Sequence, residues 1–229
     1  MGRRLPEYAL RMDEAGVEQH AHWDAAYERN PGMFGRSPST SAIYAAQRFH
    51  DAGATRVLEL GAGYGRDSLH FAAEGFKVVA MDYSATGLQE LEDTAARAGL
   101  GDSIETQMHD VRTALPLPDG SAHAVYAHLL LCMALSTAEL GRLVDEVGRV
   151  LVPGGVFVYT VRNTSDAHYG VGIDHGDSIF ETQGYAVHFF GRALVDALAV
   201  GWKLEDVSVD EEGQLPRRLW RITQTTAII

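Results

Sequence analysis

"VLELGAGYGRDSLHFA", residues 57–72, is the stretch that decides the fold. A short apolar run, Val57 to Leu60, breaks into glycines at alternate positions, Gly61, Gly63 and Gly65, and an amphipathic stretch follows. Glycine allows backbone conformations and close approaches that other residues resist, so the pattern reads as a strand turning into a helix beside a ligand. The third glycine falls one residue too early for the dinucleotide fingerprint G-x-G-x-x-G. Glu59 stands two positions before the first glycine, where a carboxylate repels a pyrophosphate and suits an ammonium group. The expected ligand is cationic at this end.

Outward from this turn, short apolar runs alternate with helical patterns, as in an α/β fold with a parallel sheet. "RVLEL", "KVVAM", "IETQM", "AVYAHLLL" and "GVFVYTV" read as buried strands. "DSLHFAAEG", "ATGLQELEDTAARAG" and "STAELGRLVDEVGRVL" read as helices, stopped at Gly75, at Gly99 and by the "PGG" at Pro153, with Ser136, Thr137 and Glu139 starting the third. "HFFGRALVDALAVG" predicts one more helix. "KLEDVSVD" and "RRLWRITQT" follow with no helix between them, which implies an antiparallel hairpin at a sheet edge. The expectation is one domain over 1–229, with a helical cap over 1–52, the α/β core over 53–229 and a lid over 162–189.

The chain has 229 residues, 46% of them hydrophobic and 22% charged, enough for one full-sized core. No apolar run approaches the roughly 20 residues of a membrane-spanning helix. Two arginines near the N-terminus have no apolar stretch behind them, so no secretory signal is expected. The single cysteine, Cys132, excludes an intramolecular disulfide and suits a reducing, cytoplasmic setting. A formal charge of −12 gains nothing from counterion release on nucleic acid, and the basic "PRRLWR" is too short to reverse that. The expected partner is a small molecule, with no nucleic acid and no membrane, on a monomer or homodimer.

Three more motifs follow the glycine turn in order. Asp82 ends the second strand in "VVAMDYS", Asp110-Val111 ends the third in "MHDV", and "VLVPGGVFVYT" leads into the fifth. With "ELGAGYG" they resemble the class I S-adenosylmethionine-dependent methyltransferases, from about Trp23 to the C-terminus. The resemblance implies a doubly wound, mostly parallel, seven-stranded Rossmann-like sheet with the antiparallel hairpin at its edge. It implies S-adenosylmethionine as cofactor, its methionine part on Gly61, Ala62 and Gly63 and its ammonium group beside Glu59. Asp82 would hold the ribose, since two carboxylate oxygens match two hydroxyl donors. Tyr83 would pack beside the adenine, whose amino group and ring would meet Asp110 and Val111. Without the resemblance, Glu59 reads as a solvated strand end, Asp82 as a helix cap and Asp110 as a loop carboxylate. Asp67 and Ser68 read as the opening of a helix, with Asp67 favoured by its dipole.

The N-terminal "HWDAAYERNPGMFGRSPS" is similar to the start of small-molecule methyltransferases of the tellurite-resistance and thiopurine methyltransferase type. That implies a segment folded over the cofactor, with Trp23, Tyr27, Phe34 and Arg36 at its amino-acid end and Arg36 on its carboxylate. Trp23 and Tyr27 share one helix face and serve equally as packing anchors. The fourth strand runs into "YAHLLLCMAL", without the Asn/Asp-Pro-Pro-Tyr of adenine- and glutamine-amino methyltransferases, which argues against methylation of DNA bases. His128 ends that strand where α/β proteins bind ligands. The lid carries Arg162, His168, Tyr169, His175 and His188. Arg162, Tyr169, His175 and His188 are read as acceptor contacts, and His128 or His168 as the base that an alcohol or ammonium acceptor needs. His168, His175 and Asp177 have no standard metal-ligand spacing, so no metal is expected. The expected activity is methyl transfer to a small thiol, chalcogen, oxygen or nitrogen nucleophile. The rival readings are a non-catalytic S-adenosylmethionine-binding protein, a tRNA or protein methyltransferase, and an NAD-dependent dehydrogenase.

Overall fold

The computed structural model describes residues 23–29, 32, 35–213 and 217–227. Seven strands form the main sheet: β1 (Arg56–Leu60), β2 (Lys77–Asp82), β3 (Ile104–Met108), β4 (Ala122–His128), β5 (Leu151–Arg162), β9 (Lys203–Glu212) and β10 (Arg217–Thr225). Their order is β3-β2-β1-β4-β5-β10-β9. The first five are parallel, and β10 runs antiparallel to both neighbours. This is the doubly wound sheet with a C-terminal hairpin that the alternating pattern implies. Strand order reverses between β1 and β4, so the loops leaving their C-terminal ends part and open a crevice.

Alternation along β1 sorts its side chains between two cores. Leu58 and Leu60 join Val125, Phe157 and the stripe Leu140, Val144 and Val147 of α5 (Thr137–Val150). Val57 joins Phe49 of α2 (Thr40–Asp51) and Phe71 of α3 (Arg66–Ala73) on the other face. Glu59, two residues after Val57, is carried to that second face and buried there. α4 (Ala85–Arg97) starts at Ser84, whose side chain accepts from Gly87 N, so Asp82 is not its cap. α5 opens with a full capping box between Ser136 and Glu139.

Several boundaries differ from those read in the sequence. α5 ends at Val150, before Pro153, and the "PGG" shapes an irregular start of β5, whose register with β4 slips between Ala122 and Ala124. β4 stops at His128 instead of running to Leu131, because Leu129 takes a left-handed φ of 57°. The last helix, α6, covers only Arg192–Leu198. Asp67 does more than favour a helix dipole. It is buried and accepts from Ser39 N at 2.7 Å and Ser39 Oγ at 2.8 Å, with Tyr126 Oη at 3.3 Å, tying the start of α2 to α3 and β4.

Residues 162–189 are not an open loop. They hold a small antiparallel sheet of β6 (Ile173–Asp174), β7 (Ile179–Thr182) and β8 (Tyr185–His188). Ladder contacts Met133–Val187 and Asn163–Phe190 stitch it to the ends of β4 and β5. Residues 23–29 form a further helix, α1. No helix among the described residues is long and apolar enough to cross a membrane.

Candidate active site

A cavity of about 780 Å³ lies over the C-terminal ends of β1, β2, β4 and β5, roofed by α1, the small sheet and the tip of the β9–β10 hairpin. The glycine turn forms its floor, with left-handed φ values of 73° at Gly61 and 55° at Gly63. The N–H groups of this turn are already used inside the protein. Gly61 N and Ala62 N donate to Met81 O at 2.8 and 3.0 Å, Gly63 N to Asp82 Oδ2 at 2.8 Å, and Gly65 N to Ala62 O at 2.8 Å. A phosphate site needs such groups turned toward the ligand. Here these four N–H groups are spent within the protein.

Two acids flank the turn, and both line the cavity. Glu59 accepts from Ser68 Oγ. Burial, together with the nearby Asp67 carboxylate, pushes its carboxyl well above the usual carboxylate range. Asp82 accepts from Ser84 N through Oδ1 and from Gly63 N through Oδ2, each at 2.8 Å. Burial pushes Asp82 up as well, against the N–H groups of Ser84, Gly63 and Tyr83. Tyr83 and Val111 line the same side of the cavity. Asp110 corrects the expectation from "MHDV": its carboxylate does not line the cavity but is gripped by Arg112, with Nη2 at 2.6 Å and Nε at 3.0 Å. The pattern gave no sign of His109, which lines the cavity and has a buried Nε2 without a partner among the described residues.

Trp23 and Tyr27 do share a face, their rings 5.9 Å apart, and both line the cavity. Trp23 meets Tyr185 of the small sheet edge-on at 5.0 Å, so α1 bridges the glycine turn and the lid. A Cβ on Gly63 would stand 2.7 Å from Tyr27 Oη. Arg36 is exposed and outside the cavity lining, and Phe34 lies outside the described residues.

The expected acceptor contacts divide. Arg162 lines the cavity, its guanidinium 5.0 Å over the Phe189 ring. Tyr169, His175 and His188 do not. Tyr169 packs edge-on against Phe180 and Phe189, His175 Nε2 is 2.8 Å from Glu181, and His188 is buried with Nδ1 2.8 Å from Leu135 O. All three hold the small sheet together or pin it to the body. Cys132 is fully buried, its thiol pushed up to about 11 by that burial.

The two expected bases both line the cavity, and neighbours hold the ring of each. His128 Nε2 lies 2.9 Å from Glu212 Oε2, an ion-pair contact poorly aligned for a hydrogen bond. Burial pushes Glu212 up, but His128 and Arg66 outweigh it and bring the carboxyl down to about 2, so it is ionised and only accepts. His128 Nδ1 is 2.8 Å from Thr160 Oγ1, which accepts from Leu129 N. His168 Nδ1 lies 2.8 Å from Arg162 Nη2 and 3.3 Å from Asp166 Oδ1.

Glu212 and Arg66 were not foreseen. The hairpin tip bends over the sheet so that Glu212 reaches both His128 and Arg66, the latter through Nη2 at 2.9 Å. The Glu212 carboxyl falls from an ordinary 4.5 to about 2, so its stabilising contribution is complete above pH 4.5 and is lost as pH falls from 4.5 toward 2. That contribution is roughly 2–3 kcal/mol at neutral pH. In denaturant unfolding followed from pH 6 to pH 2.5, Glu212→Gln should start less stable and lose less. Parallel wild-type and variant curves would refute this.

Set beside known proteins, residues 57–155 match the family described as a methyltransferase domain. A protein of Mycobacterium tuberculosis named as an uncharacterized methyltransferase is 35% identical over 119 residues, 52% of this chain and 44% of its own length. The chain thus spans about half the length of the curated relatives it matches. Among solved structures, a 1,6-didemethyltoxoflavin-N1-methyltransferase of Burkholderia thailandensis, with bound S-adenosylhomocysteine, superposes with a TM-score of 0.73 at 16% identity, covering 99% of this chain and 93% of that one. TehB of Haemophilus influenzae gives 0.63 at 14% identity, covering 82% and 62%. Both structural likenesses are of fold.

Proposed function

We propose that this chain transfers a methyl group from S-adenosylmethionine to a small-molecule acceptor: residues 57–155 match a methyltransferase domain, and the sheet has the class I methyltransferase order. One observation carries the reading: a glycine turn with the N–H groups of Gly61, Ala62, Gly63 and Gly65 consumed, set between the buried Glu59 and the half-buried Asp82. A pyrophosphate finds those donors spent, whereas an ammonium group finds carboxylate oxygens. The residues fit the cofactor in shape as well. Side chains at Gly61 or Gly63 would collide with Leu130 or Tyr27, which wall the same cavity.

When bound, S-adenosylmethionine supplies an electrophilic methyl carbon on a positively charged sulfur. Asp82 would hold the ribose with the oxygen lone pairs that its backbone bonds leave free, and Glu59 would sit at the ammonium end. Trp23 and Tyr27 close the cavity from above, and the small sheet shields it from the side, so water is kept from the reacting centre. Beyond that, the protein's task is alignment. His128 and His168 line the cavity and are the candidate bases for an acceptor that must lose a proton.

The test has two stages. Calorimetry should show S-adenosylhomocysteine binding and no heat for NAD. A panel of small thiols, chalcogen oxyanions, carboxylates and amines with S-adenosylmethionine should then release S-adenosylhomocysteine for at least one class. No heat for the nucleoside refutes the reading, and binding without any turnover supports the non-catalytic rival.

A further inference from the structure

The two halves of the cavity carry opposite electrical character. On the cofactor side the acids Glu59 and Asp82 lie open to it. On the far side each acid is already matched: Glu212 by Arg66 and His128, and Asp166, fully buried, by the Nε and Nη2 of Arg162. What remains over is positive. The Nη1 edge of Arg162 has no hydrogen-bond partner among the described residues, and His168 lines the cavity beside it. Arg217 lines the cavity, and no acid among the described residues pairs with it, its cross-strand neighbour Glu212 being taken. Sheet register brings these cations together. Arg162 faces Leu219 across the β5–β10 ladder, and Arg217, two residues before Leu219, projects from the same face.

The walls beside them are aromatic. Phe180 and Phe189 line the cavity with ring centroids 6.2 Å apart and planes tilted by 57°, and Tyr185 lines it next to Trp23. Aromatic walls beside the unpaired Arg217 and the open Nη1 edge of Arg162 match an aromatic ring that carries a carboxylate. We propose, building on the methyltransferase reading, that the acceptor is a planar aromatic acid, its ring against Phe180, Phe189 and Tyr185 and its anionic group on Arg217 and the open edge of Arg162. The anion is a handle that fixes the ring, leaving a separate nucleophile on the ring system for the methyl group.

The experiment uses the full chain loaded with S-adenosylhomocysteine and calorimetry with 4-hydroxybenzoate and 4-hydroxycinnamate, each against its primary amide. The amide keeps shape and ring and removes only the charge. At least one acid should bind about ten-fold or more tighter than its amide, as a charge-assisted hydrogen bond predicts. Arg217→Gln should cut that preference to about two-fold, and Arg217→Lys should restore part of it. An amide that binds as well as its acid, or failure of both acids to bind the loaded protein, overturns the proposal. So does a preference that survives Arg217→Gln, or an Arg217→Gln variant that loses the nucleoside and keeps the acid, which would assign Arg217 to the cofactor. If the variant does not fold, the wild-type comparison of acid with amide decides alone. Absence of heat for S-adenosylhomocysteine itself marks failure of the underlying reading instead, and takes this one with it.

Discussion

Asp82→Ala should weaken S-adenosylhomocysteine binding by about a hundred-fold or more, measured by calorimetry on folded protein. Two losses combine. The first is the expected pair of acceptor oxygens for the ribose hydroxyls. The second lies within the protein: Asp82 is what Gly63 N and Ser84 N donate to, each at 2.8 Å, and removing it strands two backbone donors beside the cavity. An unpaired donor of that kind costs about 1–3 kcal/mol, so the glycine turn should shift to find other partners. Asp82→Asn separates the two losses, since its amide oxygen still serves one donor while its NH2 faces the other. Its affinity should fall between those of wild type and alanine. An alanine variant within about three-fold of wild type would remove Asp82 from the cofactor site.

The largest effect on stability is expected at the third glycine. Gly65 precedes α3 with φ of 79°, and a Cβ there would come 2.7 Å from Leu91 Cγ and Cδ2, with Cδ1 closer still. Leu91 is fully buried in α4 and has nowhere to swing. Left-handed backbone costs a residue with a Cβ about 1–2 kcal/mol, and overpacking a core adds about 1–3 kcal/mol. Gly65→Ala should therefore lose about 3 kcal/mol in denaturant unfolding. Gly75→Ala is the control: φ is 93°, but no atom stands within 4 Å of the added Cβ, so only the backbone part, about 1–2 kcal/mol, should appear. Equal losses at the two sites would disprove the steric account. Gly65 then separates from its companions: Gly61 and Gly63 line the cavity, whereas Gly65 is there for packing.

The sheet was legible because its signals are local. Runs such as "RVLEL" and "KVVAM" are short, apolar and bounded by glycine or charge, and the two runs with no helix between them could only be a hairpin. Glu59 and Asp82 were found because strand ends and glycine turns mark themselves in a few residues. Three things were not legible, each set by contacts between distant residues. The hairpin's bend over the sheet exists only once Glu212 meets Arg66, 146 positions away in the chain. The lid sheet is built from strands of two to four residues, too short for any periodicity to declare itself. Asp110 was read by its rank among the strand-end acids, but Arg112, two residues on, holds it with two nitrogens. Position placed the histidines at the cavity, but the partners of His128, Thr160 and Glu212, lie far off in sequence.

Glu212 belongs to the outermost strand of the sheet, yet its two oxygens are clamped to the start of the helix after β1 and to the tip of β4. The periphery and the cavity are therefore mechanically one piece. Grafting this C-terminal hairpin onto a related scaffold, or trimming it as an ornament, would release a crossbar from the inner strands, with damage surfacing in ligand affinity far from the cut.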